Sequence, residues 1–313
     1  MPLASVIIAN YNGQRFLETC LGALRQQTFR DCEVIMVDDA STDDSVAWTR
    51  AHFPEVRLMV LPQNSGLDVA CNRGAAAAQG DILVMLNNDT EAEPGWLGAL
   101  VRAMESNPRI GAVASKMLLL HQRDTLHAAG DMMGKDGMPR NRGVWEKDLG
   151  QYDQLPEVFG GCGGGVAYRR VAWEAMGGFD QELFMYLEDV DLAWRLRLSG
   201  WEAVFAPEAR LYHMLSATGG GVLASFYTGR NTIWVMAKDV PGPLWRKYWR
   251  KMIGAQLGVT GEALRAWRGA EARARLRGQL AGLWGLLHWL RKRKAVQAAR
   301  RVSLASLERL LLD

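Results

Sequence analysis

The sequence predicts an α/β protein built on a parallel sheet. Three observations carry this. Short β-branched runs alternate with stretches of helical periodicity, each run ends in a cluster of Asn, Asp or Ser, and 313 residues at 49% hydrophobic and 23% charged suffice for a substantial core.

Ser5 to Ala9 (SVIIA) and Glu33 to Val37 (EVIMV) read as strands, and between them Phe16 to Gln27 sets Leu17, Leu21 and Leu24 at helical spacing. A third strand fits Arg57 to Leu61. An Ala-rich helix fits Asp68 to Gln79 with Gly80 as its stop, and Ile82 to Leu86 makes a fourth strand. Parallel strands covered on both faces are oily throughout, as ILVML is. In such sheets ligands bind beyond the carboxyl ends of the strands. There the chain places Asn10-Tyr11-Asn12-Gly13, Asp38-Asp39-Ala40-Ser41-Thr42-Asp43 and Asn87-Asn88-Asp89. Turn and cap chemistry accounts for any one of these clusters, but three on one rim point to a site.

The middle third, roughly Ser115 to Met236, is less regular. Its Gly160-Gly161-Cys162-Gly163-Gly164-Gly165 run offers either a close backbone approach to a ligand or a bulged strand. Phe184 and Tyr186 then lead into Glu188, Asp189 and Asp191, just ahead of a helical pattern. Acids in a first turn offset the helix dipole. Three within four positions also repel one another and raise at least one pKa, which suits a general base. Asp89 could hold Mg²⁺ or Mn²⁺ at a diphosphate, since phosphate and water fill most of the coordination shell, and His213 could add a nitrogen. There is no GxxxxGK[ST], HExxH or cysteine quartet, which excludes a P-loop and argues against zinc.

SVIIANYNG, VDDASTDDS, NSGLDVACNRG, DILVMLNNDT, GGFDQELFMYLEDVDLAWRLRLSGW and Arg230-Asn231, in this order, resemble the family 2 inverting glycosyltransferases of the GT-A fold. The likeness is greatest to the bacterial rhamnosyltransferase-like branch and covers roughly residues 3 to 240. The resemblance implies a Rossmann-like nucleotide-binding sheet merged with an acceptor-binding region. It implies nucleotide contacts from Ala9, Tyr11, Asp39 (to a pyrimidine N–H) and Asn88, a metal at Asp89 with His213, Asp189 as base with Glu188 beside it, and acceptor contacts at Tyr186 and Gly163. The reaction implied is one in-line displacement from a UDP- or dTDP-type donor onto a hydroxyl of a glycan or lipid-linked acceptor, in cell-surface polysaccharide synthesis. Two positions depart from the pattern. Asn88 stands where many relatives have Asp, and Cys71-Asn72 where an Arg-Asn pair is frequent, which leaves the nucleobase open. A nucleotidyltransferase, the main enzymatic alternative, resembles others of its kind through a basic Gly-rich loop after the first strand, and this chain has Asn10-Tyr11-Asn12-Gly13. A non-catalytic nucleotide-sugar sensor would be expected to lose the base or the metal carboxylate, and both positions are filled.

The net charge of +3 conceals an asymmetry. Leu244 to Arg301 carries fifteen Lys or Arg against Glu262 and Glu271, so a segment of net +13 adjoins a remainder of net −10. Within it Gln279 to Leu290 sets Leu280, Leu283, Trp284, Leu287 and Leu290 near one helical face between Arg273, Arg275, Arg277 and Arg291-Lys292-Arg293-Lys294. Such a helix suits an anionic membrane surface; a hairpin packed on the catalytic domain is the alternative. Nucleic acid is not an expected partner, because the rest of the chain is acidic and no recognition motif is present. No uncharged apolar run reaches about 18 residues. The N-terminus reads as a strand, not a signal peptide, and Cys20, Cys32, Cys71 and Cys162 form no CxxC pair, so a cytoplasmic enzyme peripheral on the inner membrane face is expected. The expected organisation is 1–114 for the nucleotide sugar, 115–240 for acceptor and catalysis, and 241–313 as a basic helical tail.

Overall fold

The computed structural model describes residues 1–214 and 220–313. The chain opens with β1 (Ala4–Asn10), α1 (Gln14–Arg25), β2 (Cys32–Asp38), α2 (Ser45–His52), β3 (Arg57–Val60), α3 (Leu67–Ala77) and β4 (Ile82–Asn87). β1 pairs in parallel with β2 and β4, and β2 with β3, as the alternation predicts. α1 buries Leu17, Leu21 and Leu24, the stripe its spacing set. Gly80 has a different role from a helix stop. α3 ends earlier, and a Cβ on Gly80 would fall 2.7 Å from the Ala4 carbonyl carbon, so glycine lets this turn lie against β1.

The sheet does not end at β4. After β5 (Thr90–Ala92) and α4 (Trp96–Glu105) come β6 (Ile110–Leu119), β7 (Gln122–Ala128), β8 (Asp131–Gly134), β9 (Pro139–Asn141) and β10 (Gly165–Arg169). α5 (Arg170–Met176), α6 (Glu188–Leu198) and β11 (Glu202–His213) follow. The strand order is β3-β2-β1-β4-β10-β6-β11-β5, with β7 on β6, and β10 runs antiparallel to both its neighbours. The stretch that reads as irregular is thus largely sheet. β6 is buried along its whole length yet contains Lys116, whose Nζ is held by Asp148 at 3.0 Å and Asp153 at 2.6 Å. The boundary expected at residue 114 falls inside β6, so both halves share one sheet.

The C-terminal third is helical: α7 (Gly221–Asp239), α8 (Gly242–Arg265), α9 (Ala270–Trp284), α10 (Leu286–Ala298) and α11 (Leu304–Arg309). β12 (Leu311–Leu312) returns to pair with β8. The amphipathic segment is two helices, not one. It breaks at Gly285, where a Cβ would sit 2.7 Å from Trp234 Nε1. α9 lies on α7 through Gly278 and Gly282, and α10 buries Trp289 against Trp234, ring centroids 4.8 Å apart. The predicted apolar face points elsewhere. Leu280, Leu283, Leu287 and Leu290 are exposed and Trp284 is 93% exposed, and on α8 Trp249, Ile253, Leu257 and Leu264 are exposed as well. Among the described residues, no helix is long and apolar enough to cross a membrane.

Candidate functional site

The strand ends converge because the parallel register brings Asn10 level with Asp38 and Asn87 level with Ala9. Their amides form one chain: Asn88 Nδ2 donates to Asn10 Oδ1 (2.7 Å), and Asn10 Nδ2 donates to Asp38 Oδ2 (2.8 Å). Asp39 is buried and accepts the N–H groups of Ser65 and Gly66, each at 2.8 Å; burial holds its pKa above the usual value. Ala9, Tyr11, Asp39 and Asn88 line one cavity of about 380 Å³ that Phe184 and Tyr227 close from the other side, their rings stacked 5.3 Å apart. The four residues expected at the nucleotide are therefore together. Cys71 is not on the cavity; it is buried in the core, and Asn72 bridges the backbone of Phe179, so the departure at 71–72 is filled by packing.

A second cavity, also about 380 Å³, adjoins the first across Leu67, Asn87 and Met185. It holds Asp89, His213, Tyr186, Gly163, Glu188 and Asp189. β11 pairs with β5 at His213 and Thr90, which brings His213 Nε2 to 3.1 Å from Asp89 Oδ1. That oxygen and imidazole nitrogen, on the wall of the second cavity, are a donor set that fits Mg²⁺ or Mn²⁺. Behind His213 stands His127, Nδ1 to Nδ1 3.2 Å, its pKa pushed down to about 3 by burial and by His213.

The acid cluster separates into different environments because α6 turns its first residues to different sides. Asp189 accepts the Gly163 N–H on Oδ2 and the Val190 N–H on Oδ1, both at 2.7 Å, and faces the second cavity; burial raises its pKa against the pull of those bonds. Glu188 is buried, Oε2 has no hydrogen-bond partner among the described residues, and burial with the charges of Asp189 and Asp68 drives its pKa well up. Asp191 points away, paired with Arg195 (2.6 Å) and Lys238, which hold its pKa low despite burial. Gly163, expected at the acceptor, gives its N–H to Asp189; a Cβ there would stand 3.1 Å from Glu188 and 3.3 Å from Asp189. Tyr186 lines the cavity with its phenol pushed up to about 12, by burial, Glu188 and Asp89.

The segment delivering Asp189 is strained. Phe184, Tyr186 and Leu187 all have positive φ, costly for residues with side chains. Buried Asn231 holds them, its Nδ2 donating to the carbonyls of Leu183, Met185 and Tyr186. Arg230 donates to Leu183 O as well, so the Arg-Asn pair acts as a clasp on this turn. Sequence reading missed His127, Asp131, Asn141 and Cys162 on the cavity wall. They come from β7, β8, β9 and the glycine run, and only the Asp after Gly130 offers a local cue. A third hollow, about 550 Å³, lies between α6, α7 and α10 and is lined by the ion-paired Asp180, Lys238 and Lys292.

The family model for glycosyl transferase family 2 matches residues 5–177. The chain is 28% identical over 270 residues to N-acetylglucosaminyl-diphospho-decaprenol L-rhamnosyltransferase of Mycobacterium tuberculosis, covering 77% of this chain and 86% of that protein. Of solved structures, GalNAc-T7 with UDP, GalNAc and Mn²⁺ aligns at TM-score 0.61 and 18% identity, over 76% of this chain and 48% of that one. TarS 1-349 of S. aureus aligns at TM-score 0.60 and 16% identity, over 96% and 91%. These neighbours share the GT-A architecture, and the chain belongs to glycosyl transferase family 2.

Proposed function

We propose that this glycosyltransferase moves a sugar, with inversion, from a UDP- or dTDP-type donor to a hydroxyl of a lipid-linked or glycan acceptor in cell-surface polysaccharide synthesis. One observation carries the reading: a carboxylate held by backbone N–H groups, Asp189, and the Asp89–His213 pair line one cavity that opens into the nucleotide cavity. The nucleotide would lie along Ala9, Tyr11, Asp39 and Asn88. Asp189 accepts the acceptor hydroxyl's proton as its oxygen attacks the anomeric carbon from the face opposite the diphosphate. The Gly163 N–H fixes one carboxylate oxygen and leaves lone pairs for that proton. Glu188, buried and with no hydrogen bond to orient its Oε2 among the described residues, is the less well placed base. Mg²⁺ or Mn²⁺, held by Asp89 and His213, would supply positive charge to the leaving diphosphate. A rhamnosyl donor is the favoured sugar, on the likeness to the mycobacterial enzyme.

The same reading sets the enzyme on the inner face of the cytoplasmic membrane. The exposed apolar faces of α8, α9 and α10, flanked by Arg and Lys, suit the interface of an anionic leaflet, where a lipid-linked acceptor resides. Incubation with Mn²⁺, a panel of nucleotide sugars and an N-acetylglucosaminyl diphosphate lipid should release nucleoside diphosphate with one donor. No release from any donor would refute the reading.

A further inference from the structure

Asp131 opens β8, and its backbone is satisfied by Phe159 and Gly160, but its side chain is not. It is 8% exposed, and Oδ1 has no hydrogen-bond partner among the described residues. It lines the second cavity, and an oxygen of its carboxylate, the Cys162 sulfur and an oxygen of Asp189 all lie within 4.8 Å of one another. A buried carboxylate without a partner costs stability, so its presence on a cavity wall calls for a ligand that pays the debt. A soft metal fits poorly, because burial and the two acids hold the Cys162 thiol well above its usual pKa and so protonated.

The partnerless Oδ1 of Asp131 accepts a hydrogen bond, as does the carboxylate of Asp189, and a hydroxyl carries a single proton to donate. O–H···O bonds of about 2.7 Å drawn from both oxygens converge on groups close together on one molecule. We propose that Asp131 binds the acceptor, taking a hydrogen bond from the hydroxyl next to the one Asp189 deprotonates. The acceptor class is then a sugar with two neighbouring free hydroxyls. This rests on Asp189 being the base.

The test compares Asp131→Ala, Asp131→Asn and Asp189→Asn, with an N-acetylglucosaminyl diphosphate lipid and its 3-deoxy and 4-deoxy forms as acceptors. Asp131→Ala should raise the acceptor KM about 10- to 100-fold, the cost of leaving a buried hydroxyl unsatisfied, with nucleoside diphosphate affinity unchanged. For the native enzyme one deoxy acceptor lacks the nucleophile, and the other should show the raised KM; with Asp131→Ala that second acceptor should bind no worse than the parent compound. Asp131→Asn should melt no lower than the native protein, since Oδ1 makes no hydrogen bond for the substitution to break. An unchanged acceptor KM in Asp131→Ala, with Asp189→Asn inactive, overturns this inference and leaves the base in place. A melting point several degrees lower for Asp131→Asn also overturns it, by making Asp131 structural. Normal transfer by Asp189→Asn removes the base and this inference with it.

Discussion

Replacing Asp189 with Asn tests the base with the least disturbance to its surroundings. The amide oxygen can still accept the Gly163 N–H, and only the Val190 N–H, held by the other carboxylate oxygen at 2.7 Å, loses its acceptor, so the side chain keeps its shape and one bond while losing its basicity. A positioned general base contributes about 100- to 10,000-fold, and kcat should fall within that range. Donor affinity should stay within a few-fold, because Asp189 lines the second cavity and not the one walled by Ala9, Tyr11, Asp39 and Asn88 that is proposed for the nucleotide. Stability moves the other way. Burial raises the Asp189 pKa above its ordinary 3.8, so the ionised form is penalised in the fold. The Asp contribution to stability is fully present below that value and declines as pH rises through it. At pH 7.5 Asp189→Asn should therefore melt at or above the native temperature, with the gain absent below about pH 4. The native kcat should show its acid limb above the ordinary carboxylate range, since only ionised Asp189 accepts a proton. Single-turnover kinetics with labelled donor, beside calorimetric titration of the nucleotide, separates chemistry from binding. A kcat within tenfold of native, with Glu188→Gln the more damaging change, would refute the assignment.

Asp89→Ala should weaken nucleoside diphosphate binding when Mn²⁺ is present and leave the metal-free titration unaltered; full activity in excess EDTA would contradict the role given to Asp89 and His213. Vesicles with anionic lipid should co-sediment the protein at low salt. Leu283→Glu with Trp284→Glu, both exposed positions, should abolish this without lowering the melting point, and native protein left in the supernatant would count against the membrane reading. These point changes serve better than deleting the tail, because β12 pairs with β8 and Trp289 is core. Lys238→Met should destabilise the fold by about 3 to 5 kcal/mol in denaturant titration, since it leaves buried Asp191, whose pKa is depressed, with Arg195 alone, while Asp180 keeps Lys292. An effect under about 1 kcal/mol would show that Arg195 suffices.

Local pattern determined the N-terminal part of the sheet. The β-branched runs and the Leu17, Leu21 and Leu24 stripe fixed β1 to β4 and α1, because period and burial are written into adjacent residues. The polar strand ends were legible for the same reason: parallel pairing puts them on one rim whatever the rest of the chain does. The apolar face of the tail was also visible in advance, although its break at Gly285 depends on Trp234, fifty-one residues earlier.

What sequence alone could not determine was the outcome of contacts between distant segments. Glu188, Asp189 and Asp191 look alike along the chain; they differ because α6 turns them toward a buried pocket, the Gly163 N–H and the Arg195–Lys238 pair. β6 does not read as a buried strand because Lys116 is neutralised by acids 32 and 37 positions away. Asp131, marked in the sequence by no more than the preceding glycine, stands beside Asp189 through the pairing of β8 with β9 and its bridge to Gly160. Propensity and periodicity act over a few residues and so reach the elements. Burial, charge pairing and the shape of a cavity are set where separate elements meet, and they decided what each acid does.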